Sequence, residues 1–251
     1  MAVVYTALAY GTAIAVWFPL GALLATKVHL SHGVIAASMS LGAGLLLAAA
    51  CIDLTSAALE GAGAIGGVAV ILLGASVFSV INWRVSQGGA ANRKRCGGCV
   101  AQATEDETPG SGRAIAIGTV LDAIPEALVL GVVLSASGQA IALVVALALG
   151  NLAQAISSTT GLIHAGRSTA FVTKLWCGLA VLVIATTLAS ATAFGAAGDT
   201  VRPWIEAFAA GILIAMTCEA MLPEAFHKNP SFRGIQAAAG VCAFALLHHF
   251  I

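Results

Sequence analysis

Two carboxylates and a proline lie close together in an otherwise apolar stretch of the chain, Asp122-Ala-Ile-Pro-Glu126. Because residues i and i+4 lie one above the other on a helix, Asp122 and Glu126 would face the same side. Pro125 has no N–H to donate, so the carbonyl oxygen of Leu121 would be left free beside the acids and the helix should bend. Two carboxylates and a free carbonyl oxygen suit a divalent cation, or a proton that the two acids share.

The next apolar stretch offers neutral oxygen ligands for the same pocket. Asn151, Gln154 and Ser158 follow helical spacing along one face, and each has a side-chain oxygen that could bind a cation or hydrogen-bond the acids. A purely structural alternative stays open, because buried Asn and Gln side chains often hold membrane helices together. In that case the segment around Pro125 is only a bent helix whose acids are capped by neighbouring polar groups.

Two further glutamates are accessory candidates. Glu219 and Glu224 lie in the segment Cys-Glu-Ala-Met-Leu-Pro-Glu-Ala-Phe, where a proline again precedes an acid. An ionisable group at membrane depth costs about 2.5 to 3.5 kcal/mol, which makes each one a functional candidate. Glu224 would lie near the cytoplasmic end of its helix, where it either guards an exit or is solvated.

Several other ionisable residues lie near the ends of apolar stretches, where contact with water at the membrane surface is the simpler interpretation. These are Asp53, Glu206, His29, His32, His248 and His249. We interpret them as interfacial residues, and a role in metal binding stays open for the first histidine pair.

The composition is that of a membrane protein. Hydrophobic residues make up 59% of the chain and charged residues 9%, whereas soluble domains contain about a quarter charged residues. Apolar stretches of about 18 to 25 residues without alternating polarity predict transmembrane helices and not a barrel. Nucleophile elbows, phosphate-binding loops and dinucleotide-binding turns are absent from the sequence, so we do not expect an enzyme or a resident cofactor.

The predicted fold is all-α, with a single transmembrane domain over residues 1–251. The first span is too long for a removable signal peptide and is counted with the rest. The eight predicted spans cover 3–25, 34–59, 64–83, 113–135, 138–163, 172–196, 203–226 and 232–251.

The basic residues are distributed unevenly over the two sides of this topology. Only Arg202 falls on one side, while the other side receives Lys27, Arg84, Arg93, Lys94, Arg95, Arg113, Arg167, Lys174, Lys228 and Arg233. The positive-inside rule makes the second side cytoplasmic and places both termini outside, in a cell (inner) membrane. A formal net charge of zero argues against nucleic acid, so the expected partners are metal ions and lipid, and the many small residues would permit a homodimer.

The one long connection, residues 85–112, predicts a flexible cytoplasmic loop because it mixes small, basic and acidic residues with little to bury. It contains Cys96-Gly-Gly-Cys99. A structural zinc site needs four ligands and this motif supplies two. Transient metal capture, redox activity and an ordinary loop therefore all stay open.

An internal repeat lies in the apolar sequence. Ala43–Cys51 and Ala210–Cys218 match at an offset of 167 residues, and the match resumes at Ala58 and Ala225. On the predicted topology the two segments run in opposite directions, so spans 1–3 and 6–8 would form an inverted repeat around a central pair, spans 4 and 5. Inverted repeats characterise secondary transporters, whose binding sites lie near the midplane. Chance similarity of two Ala-rich segments is the alternative.

These features together resemble the ZIP (Zrt/Irt-like protein) family of metal-ion transporters over nearly the whole chain. The resemblance rests on the eight spans, the long loop after the third, the outside termini, Asp122-Ala-Ile-Pro-Glu-Ala, and Ala209-Ala-Gly-Ile-Leu to Leu222-Pro-Glu-Ala. It implies a metal site halfway across the membrane and an elevator-like or rocking movement of a four-helix unit. Spans 4 and 5 would carry the ion past a more static pair of helices that includes span 2.

The chain departs from the family pattern at the metal site. Family members usually have His-Asn-x-Pro-Glu-Gly in span 4, where this chain has Asp122 for the histidine, Ala123 for the asparagine and Ala127 for the glycine. In span 5, Ala153 and Gln154 replace a proline and a glutamate. Because a nitrogen donor and a negative charge are lost, manganese, iron(II) or magnesium become plausible beside zinc, and we expect one metal site rather than two.

The sequence therefore predicts a transporter that moves a divalent metal cation toward the cytoplasm as its substrate. Asp122 and Glu126 would be the anionic ligands, Asn151 and Gln154 the neutral ones, and Ser158, Glu219 and Glu224 accessory residues. Two alternatives remain. The cargo is another cation or a proton, or the protein is a non-transporting sensor or scaffold with a degenerate metal site.

Overall fold

The computed structural model describes residues 2–28, 31–87, 111–137, 140–164, 166–195, 198, 200–226 and 232–250. Within these residues the chain is helical and contains no strand. The predicted loop lies largely outside them, as do Cys96, Cys99, His29 and Lys228. The described edges of that loop are helical: one helix continues to Val85 and the next begins at Ser111.

Eleven α-helices and two complete π-helical segments follow one another along the described chain, and residues 86–87 after the fifth α-helix are π-helical as well. The α-helices are α1 (Ala2–Ala15), α2 (Trp17–Lys27), α3 (His32–Ala48), α4 (Thr55–Ala62), α5 (Ala64–Val85), α6 (Ser111–Ser137), α7 (Ile141–His164), α8 (Thr169–Gly195), α9 (Arg202–Met216), α10 (Leu222–Phe226) and α11 (Arg233–Phe250). The first π-helical segment, Ala49–Leu54, joins α3 to α4, and the second, Thr217–Met221, joins α9 to α10.

Seven helical stretches of the described chain are long and apolar enough to cross a membrane. They are Val3–Lys27, Gly33–Ala62, Ala64–Val85, Ala116–Ser135, Ile141–Ile163, Thr169–Gly195 and Arg202–Phe226. The eighth predicted span corresponds to α11, which has 18 residues and is not among the seven. The predicted all-α fold is therefore confirmed for the described residues, and its seven or eight long apolar helices are compatible with an integral membrane protein.

The degree of burial separates central from peripheral helices. In α6 and α7, 67% of the apolar window is buried inside the protein, compared with 17% in α5 and 28% in α8. Large apolar side chains on the peripheral helices face outward, among them Leu72 and Val181. An apolar exterior around a better-buried centre is the arrangement that a lipid solvent favours, because lipid tails solvate such side chains.

The two π-helical segments were not predicted, and local hydrogen bonding accounts for them. Thr55 donates from both its backbone N–H and its hydroxyl to the carbonyl oxygen of Ala50, five residues earlier, with the hydroxyl bond at 2.9 Å. In the second segment, Pro223 follows closely and cannot donate a backbone hydrogen bond, which frees the helix to widen. If the first segment is shifted by the 167 residues of the sequence repeat, it covers 216–221, which nearly coincides with the second segment.

Two helix pairs have the same kind of contact. α3 packs against α11, with Gly44 against the backbone of Ala237 and Gly240 against that of Leu41. In both cases a Cβ atom would collide with a carbonyl oxygen.

The second pair repeats this arrangement. α5 packs against α9, with Gly211 against the backbone of Ile71 and Gly74 against that of Phe208. Gly211 lies 167 residues after Gly44, and Gly240 lies 166 residues after Gly74. The glycines that permit close packing thus recur at the offset of the sequence repeat.

The packing divides the helices into two groups. Group A contains α1, α2, α6, α7 and α8, in which α6 packs against α8 and α7 packs against α2. Group B contains α3, α4, α5, α9, α10, α11 and both π-helical segments. The main contacts between the groups are those of α3 with α7 and of α6 with α9.

Candidate functional site

Asp122 and Glu126 are buried at the middle of α6. Their exposed fractions are 0% and 2%, and Pro125 between them is also buried. Both lie within two residues of the midpoint of α6 (Ser111–Ser137), about 6 Å apart along the helix axis, with Asp122 on the Ser111 side. Both acids have polar or electrostatic contacts inside the protein. α6 continues through Pro125 as one helix, so the predicted disturbance does not end it.

The predicted partners on α7 are buried as well. Asn151, Gln154 and Ser158 are each 1% exposed. The amide nitrogen of Asn151 donates a 3.1 Å hydrogen bond to the carbonyl oxygen of Ile14 in α1, while its Oδ1 bonds to no residue that the structure describes. Gln154 Nε2 and the Ser158 hydroxyl also lack a bond to the described residues. Buried polar atoms usually have a partner, so an ion or water is expected along this face.

The predicted ligands lie near the middle of both helices. Asn151 is close to the midpoint of α7 (Ile141–His164), as Asp122 and Glu126 are to that of α6. At about 1.5 Å per residue, Gln154 and Ser158 follow toward the His164 end of α7. The middle parts of the two helices therefore carry two acids and three neutral polar groups.

Glu224 lies against the polar face of α7. It is half-buried on α10, and the hydroxyl of Ser157 donates a 3.0 Å hydrogen bond to its Oε1. Ser157 is fully buried and lies next to Ser158. The sequence analysis missed Ser157, although its position in a polar run, Ser157-Ser-Thr-Thr160, could have indicated it.

Glu219 lies elsewhere. It is exposed in the second π-helical segment and accepts hydrogen bonds from two residues of α5, Ser79 and, at 2.9 Å, Asn82. Glu219 therefore lies at the exposed edge of the contact between α5 and the second π-helical segment, both of which belong to group B. It is not brought together with the fully buried Asp122.

A cavity of about 470 Å³ opens at the end of the bundle opposite Glu224. Five ionisable side chains line it, one of them Glu60. The other four form two close pairs: Arg202 Nε lies 3.4 Å from Glu206 Oε1, and His248 Nδ1 lies 2.9 Å from Asp53 Oδ1. Val133 of α6 lines the cavity, two turns from Glu126 along the helix. Sequence spacing could not indicate the His248 and Asp53 pair, because the two residues lie 195 positions apart.

The donor set constrains what the centre could hold. Among the described residues, no three His, Cys, Asp or Glu side chains are close enough together to hold a metal ion. An ion at Asp122 and Glu126 would therefore depend on two carboxylates completed by amide, hydroxyl, carbonyl or water oxygens. Such a set fits an oxygen-preferring divalent cation, and fits a thiolate- or imidazole-preferring ion less well.

The sequence matches no protein-family model and no curated protein at a significant level.

Proposed function

We propose that this chain is a membrane transporter that moves a divalent metal cation toward the cytoplasm through Asp122 and Glu126. One observation carries the proposal: two carboxylates one helical turn apart are wholly buried at the mid-depth of an apolar bundle. Charged groups at that depth are costly and occur chiefly where they bind ions or pass protons. A protein that only needed stable helices would gain from apolar residues there.

The internal repeat supports a transporter. The sequence match, the two π-helical segments and the reciprocal glycine contacts share one offset. The packing is also symmetrical. When the two halves of the repeat are exchanged, the contact of α6 with α8 becomes the contact of α7 with α2, and both contacts are present. We infer an inverted repeat of spans 1–3 and 6–8 around α6 and α7, which is the architecture in which a central site is opened alternately to each side.

Groups A and B supply the two bodies for such an alternation. Group A holds the acids and the polar face of α7, while group B is joined by glycine contacts that bring backbones together. We propose that group A moves past group B and carries the ion, as the ZIP resemblance implies. Ser157 and Glu224 bond across the two groups on the cytoplasmic side, so this bond would break and form during transport.

The direction follows from charge. The predicted topology places the Glu224 end at the cytoplasm and the 470 Å³ cavity outside. A membrane potential, negative inside, favours inward movement of cations by about 2.3 kcal/mol per elementary charge per 100 mV. Uptake of a divalent ion therefore needs no further coupling.

The test is metal flux into vesicles that contain the purified protein, with zinc, manganese, iron(II), cadmium and magnesium compared. We expect flux of at least one ion in the wild type and its loss in Glu126→Gln and Asp122→Asn, since each variant removes one of two charges from the site. Glu219→Gln is the matched control, because that acid is exposed and bonded to α5.

Each outcome of this experiment has a distinct meaning. Equal flux in Glu126→Gln and wild type would refute the site. Proton flux without metal flux would change the cargo and keep the site. Metal binding without any flux would favour a sensor or scaffold over a transporter.

A further inference from the structure

The outer cavity has a feature that the proposed transport site does not use. His248 of α11 and Asp53 of the first π-helical segment approach each other across its wall, with Nδ1 and Oδ1 2.9 Å apart. Asp53 Oδ1 is nevertheless without a hydrogen bond to any described residue. The contact is therefore a close pair of a basic and an acidic group without the alignment of a hydrogen bond, and a metal ion bound to both atoms would replace it.

The spacing suits one metal ion. Two donors 2.9 Å apart, each about 2.1 Å from a metal, subtend an angle of about 90°, which is the angle between adjacent ligands of an octahedron. One imidazole nitrogen and one carboxylate oxygen favour a divalent transition-metal ion over magnesium or calcium. The cavity, at about 470 Å³, has room for the water molecules that would complete the coordination shell.

The charges of the cavity favour a cation. Glu60 and Glu206 also line it, and Arg202 compensates Glu206. Asp53 and Glu60 thus remain as a net negative field in a concave, low-dielectric wall, which raises the local concentration of cations. With two protein ligands, a bound ion would be held weakly enough to leave again.

The corresponding position on the cytoplasmic side differs in one respect. Glu219 lies 166 residues after Asp53, and its partner Asn82 lies 166 residues before His248. The same cross-helix contact is therefore made twice, once by an acid with a histidine and once by an acid with an amide. Only the outer contact has an imidazole, the better ligand for a transition metal.

We propose that His248 and Asp53 form an outer capture site, which binds a hydrated divalent transition-metal ion before it reaches Asp122 and Glu126. The capture site rests on the proposed function for its role in uptake. As a binding site it stands on its own geometry and can be measured separately.

The experiment uses the full-length protein in lipid nanodiscs with Mn²⁺ as the probe. The central acids are first removed by the double substitution Asp122→Asn/Glu126→Gln, so that binding at the central site does not mask binding at His248 and Asp53. Binding is followed by loss of the free Mn²⁺ resonance, and imidazole ligation by the electron spin-echo modulation from a ¹⁴N nucleus. His248→Gln and Asp53→Asn are then added one at a time, with His249→Gln as the matched control.

We expect the double variant to bind Mn²⁺ with a nitrogen signal. His248→Gln should abolish that signal and weaken binding by at least about tenfold, while His249→Gln leaves both unchanged. No binding in the double variant, or a nitrogen signal that survives His248→Gln, would overturn the capture site. Asp53→Asn keeps the test valid if His248→Gln fails to fold. Flux of the wild type decides the proposed function independently.

Discussion

Groups A and B differ in what their interiors contain. Most of the buried polar side chains of the described chain lie in group A, on α6, α7 and α8: Thr119, Asp122, Glu126, Asn151, Gln154, Ser157, Ser158, Thr159, Thr187 and Ser190. Group B has fewer, and four glycines of its α3–α11 and α5–α9 pairs pack against the partner backbone, whereas group A has a comparable contact at Gly131, against the carbonyl oxygen of Thr187.

The difference indicates that the two groups have different roles, packing in group B and ion binding in group A. Close backbone contact gives group B van der Waals energy over a large area, which is the main source of helix association in lipid. In group A, buried polar side chains take the place of some apolar contacts. Among them, Gln154 Nε2 and the Ser158 hydroxyl form no hydrogen bond to a described residue. A bundle whose buried polar groups are concentrated in one half is suited to moving that half against the other.

The largest effect we expect is stabilisation of group A by its ion. In a His248→Gln background, where only the central site remains, a transported metal at a free concentration of roughly 1,000 times its Kd should stabilise the protein by about 4 kcal/mol. The same metal should have no effect after Asp122→Asn/Glu126→Gln is added. Thermal unfolding of the purified protein measures both. Equal stabilisation of the two proteins would mean that the ion binds outside group A.

The next effect tests the packing of group B. Gly74→Ala should destabilise the protein by about 1–3 kcal/mol, because the new Cβ collides with the carbonyl oxygen of Phe208. The control is Gly178→Ala on exposed α8, where a Cβ meets no atom within 4 Å. That substitution should gain helix propensity, up to about 1 kcal/mol. Thermal midpoints of the two variants should move in opposite directions, and a parallel shift would contradict the tight packing of α5 and α9.

Much of the architecture could be predicted from the sequence because apolar length alone specifies membrane helices. The burial of Asp122 and Asn151 could be predicted too, since each lies at the middle of a long apolar stretch. Contacts between segments that are distant in the sequence could not be predicted. Glu219 was indistinguishable from a buried acid until α5 was seen to supply Ser79 and Asn82.

The π-helical segments were missed for a different reason. A π-helical turn forms when a carbonyl oxygen accepts its hydrogen bond from the fifth following residue instead of the fourth, and hydrophobic periodicity does not distinguish the two. The break between α1 and α2 at Val16 likewise has no signal in an unbroken apolar run. The contact of His248 with Asp53 was not predicted either, because the two residues meet only through the packing of helices that are distant in the sequence.

The smallest effect concerns the bond that joins the two groups. Ser157→Ala removes the hydrogen bond to Glu224, which should cost about 1 kcal/mol of stability in this half-buried position. If group A moves past group B, the bond is broken once in every cycle, so its loss should leave initial metal flux equal to or faster than that of the wild type. A fall in flux as deep as that of Glu126→Gln would instead make Ser157 part of the ion pathway. Thermal unfolding and initial uptake rates, measured on the same preparation, separate these two roles because only the second predicts that stability and flux fall together.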